Sequence, residues 1–173
     1  MSPRKLKTDP EIVEMPNRTM AVVHTVGDPN ELGETVFKAL YGAVYPLKFT
    51  LKKQGVDFQV EPPRARWFGG EGWKDVPRDE WEAAWALPVP DGTTELAQKL
   101  PGTAVVLETW EYGCVAQILH IGPFSAEGPT IERLHDFIDA RTGRTGKHHE
   151  IYLSDIRRGD PKKWKTIIRQ PMK

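Results

Sequence analysis

The chain has little cysteine, no long apolar run and no net charge, and each shortage closes off a class of function. Cys114 is the sole cysteine, so an internal disulfide is impossible and a reducing compartment, the cytoplasm, is the expected setting. No apolar stretch approaches the ~20 residues that a membrane-spanning helix needs. The basic opening Met1–Lys7 is followed by no hydrophobic segment of a secretory signal. Lys plus Arg number 24 and Asp plus Glu number 24, a balance that gives no bulk attraction to nucleic acid or to an anionic membrane. Gly-x-Gly-x-x-Gly and phosphate-loop patterns are missing, which leaves nucleotide chemistry without support. Gly-x-Ser-x-Gly is missing too, which argues against a serine α/β-hydrolase. No cofactor is expected. No metal is expected either: His148 and His149 are adjacent on a predicted strand, point to opposite faces, and do not chelate easily.

What the chain does have is aromatic bulk. Six Trp, four Tyr and six Phe occur in 173 residues. Trp carries an N–H that seeks a partner, so it suits pockets and interfaces as well as cores. Residues 1–18 hold Pro3, Pro10 and Pro16 and read as an arm. Met20–Val26 is β-rich and ends at the turn cluster Gly27-Asp28-Pro29-Asn30. Residues 31–54 read as a helix, with Val36, Leu40, Val44, Leu47 and Leu51 on one face and Pro46 expected to kink or divide it. Strands are predicted at 56–60, 64–70, 80–89, 103–110, 114–121, 148–154 and 164–170, with a loop over 69–79. A short helical turn fits 95–100. A second helix spans 126–141, its apolar face formed by Ile131, Leu134, Phe137 and Ile138.

The order is strand–helix–strand–strand, twice over, within about 19–90 and 103–171. That order predicts an α+β fold of two tandem strand–helix–strand–strand modules. Residues 19–173 then form one domain behind the arm.

Three segments carry a family resemblance. His148-His149-Glu150-Ile151-Tyr152-Leu153-Ser154-Asp155-Ile156-Arg157-Arg158, with Lys165–Pro171 behind it, resembles the closing motif of GyrI-like effector-binding domains. Gly27–Asn30 and Leu40–Phe49 resemble the opening of that family's stand-alone branch. Gly122-Pro123-Phe124 resembles its turn into the second helix. The likeness spans roughly residues 12–171. It implies curved antiparallel sheets, helices on the outside and a ligand cleft on the concave face. It implies a small aromatic, lipophilic ligand, cationic or electrophilic, and bacterial relatives that include multidrug sensors, a gyrase inhibitor and hydrolases of cyclopropane-bearing genotoxic compounds. The resemblance leaves open hydrolysis, drug sensing or sequestration without catalysis, and binding to a protein partner. No DNA-binding arm is recognisable in residues 1–18, so direct nucleic-acid binding is not expected.

Glu150 is the candidate centre. Strand alternation puts His149, Ile151 and Leu153 on one face and Glu150 and Tyr152 on the other. Ile151 and Leu153 are expected to pack on the helices, so Glu150 and Tyr152 are expected to face the cleft, away from the helices. A half-buried carboxylate needs an answering cation, or a task as acid or base. The alternative is an ordinary cross-strand ion pair. The resemblance implies that Glu150 meets cationic ligands or activates water, with Tyr152 beside it. Trp67, Trp85, Tyr41, Tyr45, Trp110, Phe124 and Trp164 are the candidate walls, where stacking on a flat cation is worth about 0.5–2 kcal/mol per ring. Tyr41 and Tyr45, at i and i+4 of the first helix, fit a plain core face equally well. Around Trp67, Arg64, Arg66 and Phe68 depart from the family's leucine- and glycine-rich pattern. Cys114 reads as a small buried hydrophobe.

Overall fold

The computed structural model describes residues 6–68 and 73–173. Parts of the expected arm, of the 64–70 strand and of the 69–79 loop lie outside those residues. The elements run in the order β1 (Glu11–Met15), β2 (Arg18–Val26), α1 (Pro29–Lys53), β3 (Arg64–Trp67), β4 (Glu82–Pro88), β5 (Val106–Trp110), β6 (Gly113–Ile121), α2 (Glu127–Asp139), β7 (His148–Tyr152) and β8 (Lys165–Pro171). All assigned strand pairs are antiparallel, and the fold is α+β. Contacts divide the chain into a central unit, Asn17–Glu111, and a terminal unit in which the residues up to Pro16 join Tyr112–Lys173.

In the central unit the strand order is β3-β4-β2-β5. Asp28 caps α1 by accepting from the Asn30 amide at 2.9 Å, and Pro29 opens the helix. The expected turn cluster is therefore the cap itself. Val36, Ala39, Leu40, Ala43 and Val44 form the buried face. The helix is not divided at Pro46. Its buried anchors all precede the proline, so packing fixes the helix first, and the lost ladder bond falls where half the face is already exposed.

Residues 56–60 form no strand, contrary to expectation. Lys48 reaches back to the Asp57 carboxylate at 3.0 Å and the Phe58 carbonyl at 2.6 Å, and Pro62-Pro63 offer no N–H to a ladder. Residues 95–100 form no helical turn either. The Gln98 amide instead bonds both the N–H of Val105 (2.9 Å) and its carbonyl (2.7 Å), a side chain standing in for a strand partner.

In the terminal unit the order is β7-β8-β6-β1. The stretch read as an arm thus contributes β1: Pro10 and Pro16 bracket a five-residue strand instead of breaking it. The core under α2 is Ala116, Ile118, Leu134, Ile138, Ile168 and Met172, with Cys114, Ile131 and Phe137 packed around it. Burial pushes the Cys114 thiol up, and Glu14 adds to the rise, which keeps it a thiol rather than a nucleophile.

Each unit repeats the same path. β2-α1-β3-β4 and β6-α2-β7-β8 each place the last strand between the first and the third. The remaining strands are exchanged: β1 precedes β2 in the chain but pairs with β6, and β5 precedes β6 but pairs with β2.

Candidate functional site

Registers fix the faces of the terminal sheet. Glu150 stands opposite Ile168, and Ile168 opposite Ile118. Both isoleucines pack with Leu134 and Ile138 of α2. Glu150 and Tyr152 do share a face, as alternation requires, but it is the face that α2 covers. Ile151, opposite Ile167, lies on the other face and does not pack under α2. Alternation decides which residues travel together, not which side a helix takes. Here the stripe of α2 meets Ala116, Ile118 and Ile168.

That stripe includes a carboxyl. Glu127, Ile131, Leu134 and Ile138 are spaced four, three and four, so Glu127 occupies an apolar-face position in the first turn. It is 7% exposed, and Glu150 is 8% exposed. The two carboxyls share a hydrogen bond. The Glu150 oxygens also contact His148 Nε2 at 3.1 Å and accept from the Tyr152 hydroxyl at 2.9 Å. Glu127 Oε1 is buried and finds no hydrogen-bond partner among the described residues.

Two carboxylates this close in a dry setting cannot both be charged. Burial, then the charge of Glu150, pushes Glu127 up to about 10. Burial also lifts Glu150, but hydrogen bonds from His148, Glu127 and Tyr152 outweigh it and hold Glu150 low, at about 2. At neutral pH the pair carries one proton, on Glu127. Such a pair holds an acid and an anion side by side, the arrangement that acid–base chemistry uses.

Aromatic rings flank the pair. Phe124 packs edge-on to Tyr152, ring centres 5.7 Å apart, and against Trp164 at 5.4 Å. The turn Gly122-Pro123 sets Phe124 in place. Gly122 has φ of +139°, where other residues are strained, and its amide donates to the Trp164 carbonyl at 2.8 Å. His120 pins the turn, contacting the Pro123 carbonyl at 3.1 Å and Thr130 Oγ1 at 2.8 Å. The Trp164 indole N–H is buried without a hydrogen-bond partner among the described residues. Beside it an open hollow of about 320 Å³ is lined by Ser154, Asp155, Arg158, Gly159, Asp160, Lys163 and Trp164.

The central unit gathers a second aromatic set. Trp67 meets Trp85 edge-on at 5.2 Å, Trp85 meets Phe37 at 5.5 Å, and Phe37 leads to Tyr41 and Tyr45 along α1. Trp85 is buried and donates to Thr25 Oγ1 at 3.0 Å, whereas Tyr45 is exposed. Trp110 pairs with Arg18, on the sheet face opposite Trp85. It is fully buried beneath the Arg66 guanidinium, 4.1 Å from ring centre to carbon.

Glu127 and Phe37 were missed by the sequence reading, as was Trp81, whose ring meets Trp67 edge-on at 6.1 Å. The signal for Glu127 was present: an acid at the apolar register of a helix. His149 lies on the far face of its sheet, opposite Arg169, which donates to Gln117, which donates to Glu11. No cluster of three metal-ligating side chains occurs among the described residues. No helix among them is long and apolar enough to cross a membrane.

The architecture, a duplicated strand–helix–strand–strand path of antiparallel strands with two helices, is that of a small α+β protein. The chain belongs to the GyrI-like small molecule binding domain family, whose pattern matches residues 8–173. An uncharacterized conserved protein from Listeria innocua is 31% identical, with a TM-score of 0.81 over 96% of this chain and 93% of that one. A hydrolase from Listeria innocua is 29% identical, with a TM-score of 0.78 over the same shares. The EcmrR C-terminal domain, 15% identical over 94% of this chain and 96% of that one with a TM-score of 0.63, shares the fold. No curated protein matches the chain.

Proposed function

We propose that this protein binds a small aromatic electrophile or cation against Glu150 and Tyr152 and hydrolyses the electrophile, with Glu150 activating water. The carrying observation is the buried carboxyl pair, Glu127 against Glu150, beside Tyr152, Phe124 and Trp164. A negative charge held in a dry site attracts a flat cation or stabilises a developing positive charge. Phe124, 38% exposed, and the half-buried Tyr152 are the rings that a ligand displaces to reach the acid. The hydrolase from Listeria innocua, similar over nearly its whole length, favours turnover over binding alone. Cyclopropane-bearing alkylators are the substrate class this reading names, because ring strain supplies the driving force and water at an activated carbon is all that the protein must add. Trp67, Tyr41 and Tyr45, with the buried Trp85 behind them, form a second candidate surface for flat ligands, within the central unit.

Calorimetry with rhodamine 6G, a flat aromatic cation, tests the binding half. Wild type is expected to bind in the micromolar range, about −8 kcal/mol. Glu150→Gln keeps the shape and removes the charge, so affinity is expected to fall about tenfold, or ~1.4 kcal/mol. Equal affinity in both proteins counts against Glu150 as the cation's partner. A protein that only senses or sequesters gives the same calorimetry and no product from any electrophile.

A further inference from the structure

We infer that Glu127 selects the ligand by its hydrogens: its buried Oε1 accepts a hydrogen bond from a ligand N–H, so the site prefers flat cations that carry N–H groups, such as aminoxanthylium and amidinium ions, over cations whose nitrogens are fully alkylated. The inference rests on the binding reading above and narrows its ligand class; it needs no turnover.

Glu127 stands on the apolar stripe of α2 and is 7% exposed. It shares a hydrogen bond with Glu150. Its Oε1 is buried with no hydrogen-bond partner among the described residues, so the shared bond runs through the other oxygen. Whichever carboxyl owns the shared proton, that proton lies between the two. Oε1 therefore has lone pairs to offer and no hydrogen, and is an acceptor in either case. The donors around the pair are spent. The Tyr152 hydroxyl donates to Glu150, and His148 Nε2 contacts the same carboxylate. His120 is engaged with Thr130 Oγ1 and the Pro123 carbonyl. A buried acceptor without a donor is costly to keep, and a ligand donor removes that cost.

The approach to Oε1 is local. The helical turn Phe124–Ala126 runs directly into α2, so Phe124 and Glu127, three residues apart, are neighbours on one face. Phe124 is the exposed ring of the rim and rests edge-on against Tyr152. A flat ligand that takes the place of the Phe124 ring arrives at the first turn of α2, where Glu127 sits. The two acids then read different properties. Glu150, its oxygens already committed, answers charge, which any cation supplies. Glu127 Oε1 answers only a hydrogen. A fully alkylated cation satisfies the charge, leaves Oε1 without a donor and sets a methyl group against it. Sites built to bond a ligand N–H reject the analogue lacking it for this reason.

Fluorescence titration of the full chain with two dyes tests this. Rhodamine 123 and tetramethylrhodamine methyl ester share one xanthene ring system, one methyl ester and one positive charge. The amine hydrogens of the first are methyl groups in the second. Wild type is expected to bind rhodamine 123 about tenfold more tightly, the span of a hydrogen bond involving a charged group. The methylated dye is the more lipophilic, so burial alone gives the opposite order. Glu127→Gln is the control. Its amide N–H faces the Glu150 carboxylate, its carbonyl keeps the Oε1 position, and the ratio of affinities should stay within about threefold of wild type. Glu127→Met keeps the length and removes the acceptor, so the ratio should fall to about one or reverse. A wild-type ratio below about threefold overturns the inference, as does a wild-type ratio that persists in Glu127→Met. If circular dichroism shows Glu127→Met unfolded, the wild-type ratio and its retention in Glu127→Gln decide. Wild type that binds both dyes equally contradicts the acceptor role and leaves the binding reading standing. Wild type that binds neither contradicts both.

Discussion

Burial and a neighbouring negative charge each help a carboxyl to keep its proton in neutral water, and Glu127 has both. The consequence reaches stability. The pKa of Glu127 is raised from an ordinary 4.5 to about 10, so its contribution is fully present below about 4.5. It is lost progressively as pH rises toward 10, because the unfolded chain has released the proton and the folded chain has not. Glu150 has the opposite sign: lowered to about 2, it contributes above 4.5 and loses that contribution as pH falls toward 2. Wild type should therefore lose stability relative to Glu127→Gln between pH 6 and 9, by up to about 1.4 kcal/mol per unit. Urea melts of both proteins across that range check it. Parallel curves would mean that Glu127 is ionised when folded. The residue scale is also where the sequence said least. That Glu150 and Tyr152 share a face was readable from strand alternation, but the expectation that α2 covers the other face was overturned. Glu127 was not readable, because it counts as a charge in the pattern that defines the helix face, and only the packed structure shows which sheet face that stripe meets.

At the scale of elements, α2 and its entry turn hold the acid pair in register. Leu134 and Ile138 are fully buried, and Leu134→Ala should cost about 2–5 kcal/mol, as other buried leucines do. A thermal melt measures it; a loss below 1 kcal/mol would contradict the assigned core. Gly122→Ala strains a backbone at φ +139° and brings a Cβ to 3.4 Å from the His120 ring. It should destabilise by about 1–3 kcal/mol and disturb Phe124 more than a remote core change of equal cost. The helices were legible because a 3.6-residue period over thirteen or more residues has few alternatives. The strand expected at 56–60 was not there, because a β-rich run flanked by prolines finds no ladder and Lys48 captures its polar groups. β1 was overlooked for the converse reason: five residues between prolines form a strand only because β6, a hundred residues on, offers an edge. Long-range pairing of that kind leaves no local mark.

On the scale of the whole molecule, the duplicated path and the exchange of β1 and β5 make each unit depend on a strand from the other repeat. Deleting the residues up to Pro16 should therefore speed hydrogen exchange at β6 amides that face β1, while the β2–β4 ladder keeps its protection. Equal loss in both ladders would contradict the assigned pairing. The same architecture was readable as order, strand–helix–strand–strand twice, and the family followed from the closing motif; which strand closes which sheet was not. The central claim is that a buried, singly protonated carboxyl pair opens a strained electrophile with water. The most direct measurement is chromatographic quantitation of 4-(2-hydroxyethyl)phenol, formed by addition of water to the cyclopropyl dienone spiro[2.5]octa-4,7-dien-6-one at saturating concentration, by wild type and by Glu150→Gln. The account predicts product from wild type and a rate about 10²–10⁴-fold lower from the variant, with the dienone still bound; a variant that turns over as fast as wild type would contradict it.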